Sequence, residues 1–96
     1  MRSNGKRDAE LAQLRQKNLL IVRFIGQIRG VPNALPKDIL NQFEDAIEAA
    51  YKRRDLRGMR IVSKDTVEWA QGLSMGAQRE LDDHLRGQTG SGLLEW

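Results

Sequence analysis

The chain contains no cysteine. That excludes disulfides, thiolate metal sites and a cysteine nucleophile. Small secreted domains usually depend on disulfide staples, so a reducing, cytoplasmic setting is expected. Aromatic residues are scarce: Phe24, Phe43, Tyr51, Trp69 and Trp96 are all of them. The core must therefore be mostly aliphatic, and few rings are available to stack on nucleic-acid bases. Long apolar runs are also missing. The run Leu19 to Val22 is closed by Arg23, far short of the roughly 20 residues that span a bilayer. No signal-peptide pattern is visible and no membrane partner is expected.

Signatures of catalysis are equally thin. No Ser-His-Asp set, HExxH motif or paired-carboxylate cleft can be argued from spacing. The glycines are scattered as helix terminators, and none builds a phosphate-cradling loop. His84 is the only histidine. Its neighbours Glu80 and Asp83 would suit a metal or acid–base role, but a lone histidine among polar residues reads as a solvated side chain. No enzyme activity, cofactor, metal or small-molecule substrate is expected.

What is present is enough for one domain. The 96 residues are 40% hydrophobic, which supplies a single core but a thin stability margin. The division expected is a flexible basic N-terminus at 1–7, a helical domain at 8–87 and a flexible C-terminal tail at 88–96.

The clearest pattern is a heptad rhythm. Leu11, Leu14, Asn18, Ile21, Ile25 and Ile28 recur at spacings of 3, 4, 3, 4 and 3, which keeps one stripe of a helix facing a partner helix. Leu20 and Phe24 add a second stripe, so the C-terminal half of this helix is apolar around much of its girth. The helix is expected from about Ala9 to Arg29, capped by Asp8 and ended by Gly30. The stripe is either a core face or a self-association seam. Asn18 falls at an a-type position, where a buried pair can set register, and Glu10 and Arg15 fall at g and e positions able to pair across a parallel dimer.

Pro36 suits the start of a second helix carrying Ile39, Leu40, Phe43, Ala46, Ile47, Ala50 and Tyr51 at helical spacing. Asp55 is a natural cap for a third, with Leu56, Met59, Val62, Thr66, Trp69 and Leu73 on one stripe and Gly72 closing it. Ser74 can cap a fourth containing Ala77, Leu81 and Leu85, closed by Gly87. A rival reading makes strands of Leu19–Ile25 and Met59–Val62, but alternation is poor in both. The fold expected is all-α: a compact four-helix domain with a long N-terminal helix and a flexible C-terminal tail.

The net charge of +3 conceals blocks of alternating sign: +5 over 1–35, −3 over 36–51, +5 over 52–64 and −4 over 65–96. Such blocks suit packing between oppositely charged elements, within or between chains. Lys52, Arg53, Arg54, Arg57, Arg60 and Lys64 place six cations around a turn. They could hold nucleic-acid phosphates without a sequence code, or dock an acidic partner. A helix-turn-helix from the third and fourth helices is disfavoured, because Glu80, Asp82 and Asp83 would repel a phosphate groove. In the tail, Leu93, Leu94 and Trp96 follow a Gly-Ser-Gly stretch and could dock a partner or fold back.

The function expected is a small non-catalytic adaptor or regulator acting through protein–protein contacts, its partners including a second copy of itself as a homodimer. The alternative is a nucleic-acid-binding regulator using the basic corner.

Overall fold

The computed structural model describes residues 3–27 and 37–95. Four α-helices account for most of them: α1 (Ser3–Gln27), α2 (Lys37–Lys52), α3 (Leu56–Ala70) and α4 (Met75–Thr89). The all-α, four-helix expectation holds, and both segments with a rival strand reading are helical.

Helix α1 is the longest, at 25 residues, or about 37 Å of rise. The other three helices all pack on it. Helix α2 runs antiparallel to it, since Arg15 meets Glu48 while Gly26 lies against Leu40. Helix α3 runs parallel to it, since Glu10 meets Arg60 and Asn18 meets Ser63 and Thr66. This arrangement explains the girth of apolar residues on α1. Leu11, Leu19 and Val22 join Ile47, Ala50 and Met59 in one cluster. Ile21 and Ile25 join Ala70, Leu73, Leu81, Leu85 and Leu93 in a second. As the periodicity required, the C-terminal half of α1 is buried on several sides.

Two expected boundaries move. Helix α1 begins at Ser3, so Asp8 lies inside it rather than capping it. The Asp8 carboxylate is turned instead to Arg54, 2.6 Å away. Helix α4 runs past Gly87 to Thr89, because the residue that adopts the left-handed conformation is Gly90, at φ 81°. A glycine at that position ends a helix without steric cost; Gly87, inside the helix, does not. Residues 91–95 fold back on the helices, one of the placements open to the tail (below). Ile28, Gly30, Pro36 and Trp96 lie outside the described residues.

Two caps fall where local sequence placed them. The Asp55 side chain accepts from Gly58 N–H at 2.9 Å, and the Ser74 hydroxyl accepts from Ala77 N–H at 3.2 Å. Each satisfies a backbone donor that the helix cannot. Gln78 was not anticipated: its amide donates to both Gln71 O and Leu73 O, at 3.0 and 2.8 Å, and so closes the α3–α4 turn.

Candidate nucleic-acid interface

The described part of the α1 stripe is largely covered within one chain. Leu11, Asn18, Ile21 and Ile25 are buried and Leu14 is half-buried. Asn18 Nδ2 donates to Ser63 Oγ at 2.8 Å, and its Oδ1 accepts from Thr66 Oγ1 at 2.9 Å. The g and e residues are engaged within the chain too. Glu10 binds Arg60 at 2.6 Å. Arg15 binds Glu48 at 2.6 Å, and its guanidinium lies 4.9 Å from the centre of the Tyr51 ring. The Glu48 carboxylate raises the pKa of Arg15 further above its ordinary value.

The tail is seated as well. Leu93 is buried among Ile21, Leu81 and Leu85, and its N–H donates to Asp82 Oδ1 at 2.8 Å. Arg86 bridges Asp82 and Glu95, at 2.9 and 2.8 Å. Buried Lys17 donates its Nζ to the Glu95 carbonyl. Gly92 permits the close approach, since a side chain there would press on Asp82 and on Arg86 Nη2. The Arg86 guanidinium and backbone donors hold the Asp82 and Glu95 carboxyls below their ordinary pKa. Burial pushes the Lys17 ammonium down. Of the tail residues singled out, Leu93 points inward and Leu94 stays 67% exposed.

What remains open is the basic corner. Lys52, Arg53, Arg54, Arg57, Arg60 and Lys64 are all exposed. Helix α2 ends in two bonds that reverse the chain, Arg54 N–H to Tyr51 O at 3.1 Å and Asp55 N–H to Ala50 O at 2.9 Å. That pattern needs a left-handed residue, a position glycine usually fills; here Arg54 takes it, at φ 54°. Arg57, Arg60 and Lys64 then follow at spacings of three and four on α3, which puts them on one face. Two of the six are neutralised, Arg54 by Asp8 and Arg60 by Glu10. Lys52, Arg53, Arg57 and Lys64 have no acidic partner among the described residues.

A groove of about 820 Å³ runs along the junction of α1 and α3 beside this corner. Leu14 and Val67 supply apolar surface to it, and its charges cancel, Arg60 and Lys64 against Glu10 and Glu68. It adds no charge to the cationic surface. The α3–turn–α4 unit is present, but Asp82 on α4 is committed to Arg86 and Leu93 while Glu80 and Asp83 face solvent. His84 is exposed, its ring 5.9 Å from that of Phe24. Among the described residues, no cluster of His, Asp or Glu is placed to hold a metal ion. No described helix is long and apolar enough to cross a membrane.

Sequence reasoning found the corner through charge density alone. It missed the clamps to Asp8 and Glu10, which join residues 46 and 50 positions apart. No local signal marks such pairs. No protein-family model matches the chain, and neither the curated proteins nor the solved structures contain a significant match to it.

Proposed function

We propose that this chain is a non-catalytic binding protein whose working surface is the basic corner between α2 and α3, and that it holds nucleic acid through backbone phosphates. The observation that carries the reading is the set of exposed cations held in no ion pair among the described residues, Lys52, Arg53, Arg57 and Lys64, the last of them one helical turn from Glu68. Two of the four are arginines, whose planar fork matches phosphate oxygens. The surface also lacks the apolar centre that protein interfaces usually need: Ile61 is its one large exposed aliphatic, and Tyr51 lies under Arg15. A sequence pI near 9.7 is in keeping.

A second reading, an adaptor or regulator working through protein contacts, is favoured by exposed Met75 and Leu94. In that case a homodimer would draw on surface beyond Leu11, Asn18, Ile21 and Ile25, which are buried within the chain. The test of the first reading is binding to a short labelled DNA duplex. The wild type is expected to bind at low salt, with affinity falling steeply as salt rises. Reversing Arg53, Arg54 and Arg57 to Glu is expected to abolish binding. A wild type that does not bind at low salt overturns the reading.

A further inference from the structure

The corner is not the whole cationic surface. The clamps Asp8–Arg54 and Glu10–Arg60 bring the first turns of α1 against the α2–α3 turn. The residues just before Asp8 are Lys6 and Arg7. Both are exposed, and neither has an acidic partner among the described residues. In the sequence they belong to a basic terminus some 45 residues from the corner. In the fold, Arg7 adjoins the residue whose carboxylate is 2.6 Å from Arg54.

The placement of Lys6, in the first turn of α1, runs against local preference. Cations near a helix N-terminus oppose the helix dipole, and anions are favoured there. Glu10, one turn on from both Lys6 and Arg7, could offset this locally, but its carboxylate is taken up by Arg60. The two acids that follow them, Asp8 and Glu10, are neutralised by Arg54 and Arg60. The pairing cancels the negative charges between the two cationic segments and leaves the unpaired cations as the net field. Arg57 and Lys64 lie seven positions apart on α3, about 10 Å at ~1.5 Å per residue. Successive phosphates of one strand rise about 3.4 Å along the duplex axis, so that row faces several of them.

Resting on the reading above, we infer that the phosphate-binding surface is composite. Lys6 and Arg7 of α1 act together with Lys52, Arg53, Arg57 and Lys64 in holding one nucleic-acid backbone, and the two ion-pair clamps fix the segments side by side. The ligand class is duplex nucleic acid held through its phosphates, since single strands are bound largely by stacking and the one ring beside the surface, Tyr51, is engaged by Arg15.

The salt dependence of binding tests this directly. For B-DNA the slope of log K against log salt is about −0.9 per phosphate contacted, and each phosphate-contacting cation removed should lower it by about 1. The full chain is titrated by fluorescence anisotropy against a short labelled DNA duplex at several salt concentrations. Lys6→Ala/Arg7→Ala should reduce the slope by about two, and Arg53→Ala/Arg57→Ala by about two. The quadruple variant should show both losses. Arg23→Ala, exposed on the far half of α1, should leave the slope unchanged. Alanine favours helix and none of these side chains has a bond to lose, so the circular dichroism of all variants should match the wild type.

A slope that responds to Arg53 and Arg57 but not to Lys6 and Arg7 overturns the composite surface and leaves the corner. A slope that responds equally to Arg23 overturns it too, because net charge alone is then sufficient. Absence of wild-type binding at low salt overturns both the corner and its extension.

Discussion

Thr66 donates its hydroxyl to Asn18 Oδ1 at 2.9 Å in the buried seam between α1 and α3. The same Thr66 oxygen is 2.9 Å from Ser63 O, and Ser63 Oγ donates to Met59 O at 2.9 Å. Both hydroxyls thus have a backbone acceptor without Asn18. Asn18→Leu, similar in size, should cost less than about 1.5 kcal/mol. Asn18→Asp leaves a buried carboxylate with no cation facing it and should cost several kcal/mol. Urea denaturation of the two variants checks this. Equal losses would mean that the seam depends on Asn18 for more than shape.

Gly58 looks like a site for stabilisation, since alanine in a helix interior gains about 1 kcal/mol over glycine. Here an added Cβ would lie 2.5 Å from Asp55 Oδ2, so Gly58→Ala must displace the cap and forfeit about 1 kcal/mol. The expected net effect is near zero or unfavourable. In an Asp55→Ala background the conflict is gone, and the same change should stabilise by up to about 1 kcal/mol. A double-mutant cycle by thermal melting reads the sign reversal.

Leu93 and Leu94 are adjacent but differ in environment, at 4% and 67% exposed. Leu93→Ala should destabilise by about 2 kcal/mol, the low end for a buried leucine because a terminal segment can peel away. That would lower Tm by several degrees for a domain this small. Leu94→Ala should stay within about 0.5 kcal/mol. Similar Tm values for the two variants would show that the seat contributes nothing.

Acid should loosen this seat. Asp82 and Glu95 titrate below their ordinary values in the folded chain. Such groups contribute stability above the usual carboxylate pKa of about 4 and lose it as pH falls through the folded-state value. The Leu93 amide, bonded to Asp82, should therefore lose hydrogen-exchange protection on acidification below about pH 4. Asp82→Asn should weaken that pH dependence, leaving the part due to Glu95. An acid-independent protection factor would contradict the assignment.

Arg54 occupies a left-handed position at φ 54°, where a non-glycine residue costs about 1–2 kcal/mol. Its exposed pair with Asp8 repays at most about 1 kcal/mol. Arg54→Gly is therefore expected to be neutral or stabilising by up to about 1 kcal/mol in chemical denaturation. On the proposed function it should also weaken DNA binding. A clear loss of stability would show that the clamp is worth more than an exposed ion pair.

The parts of this architecture that were legible in the sequence are the local ones. Asp55 and Ser74 cap helices through bonds three residues away, and the Leu11–Ile25 rhythm marks a face that must be covered. Periodicity does not name the cover. Asn18 reads equally well as the partner of its own copy and as the partner of Ser63 and Thr66, 45 and 48 residues away. The Gly-Ser-Gly stretch reads as loose chain, yet Gly92 is small so that the backbone can approach Asp82 and Arg86. The cationic corner was visible as charge density, whereas its link to Lys6 and Arg7 depends on ion pairs formed only once α1 lies parallel to α3.

Helices α2 and α3 pack on each other as well as on α1, whereas the substantial helix packing of α4 is against α1 alone. Regions tied down by fewer neighbours open at lower free energy. The molecule therefore has a breathing end and a quiet end. Detaching α4 with residues 91–95 uncovers Ile21 and Ile25 but leaves the cluster of Leu11, Ile47 and Met59 closed. The clamps at Asp8 and Glu10 belong to the quiet end, so partial opening of the C-terminal region leaves the geometry of the cationic surface undisturbed.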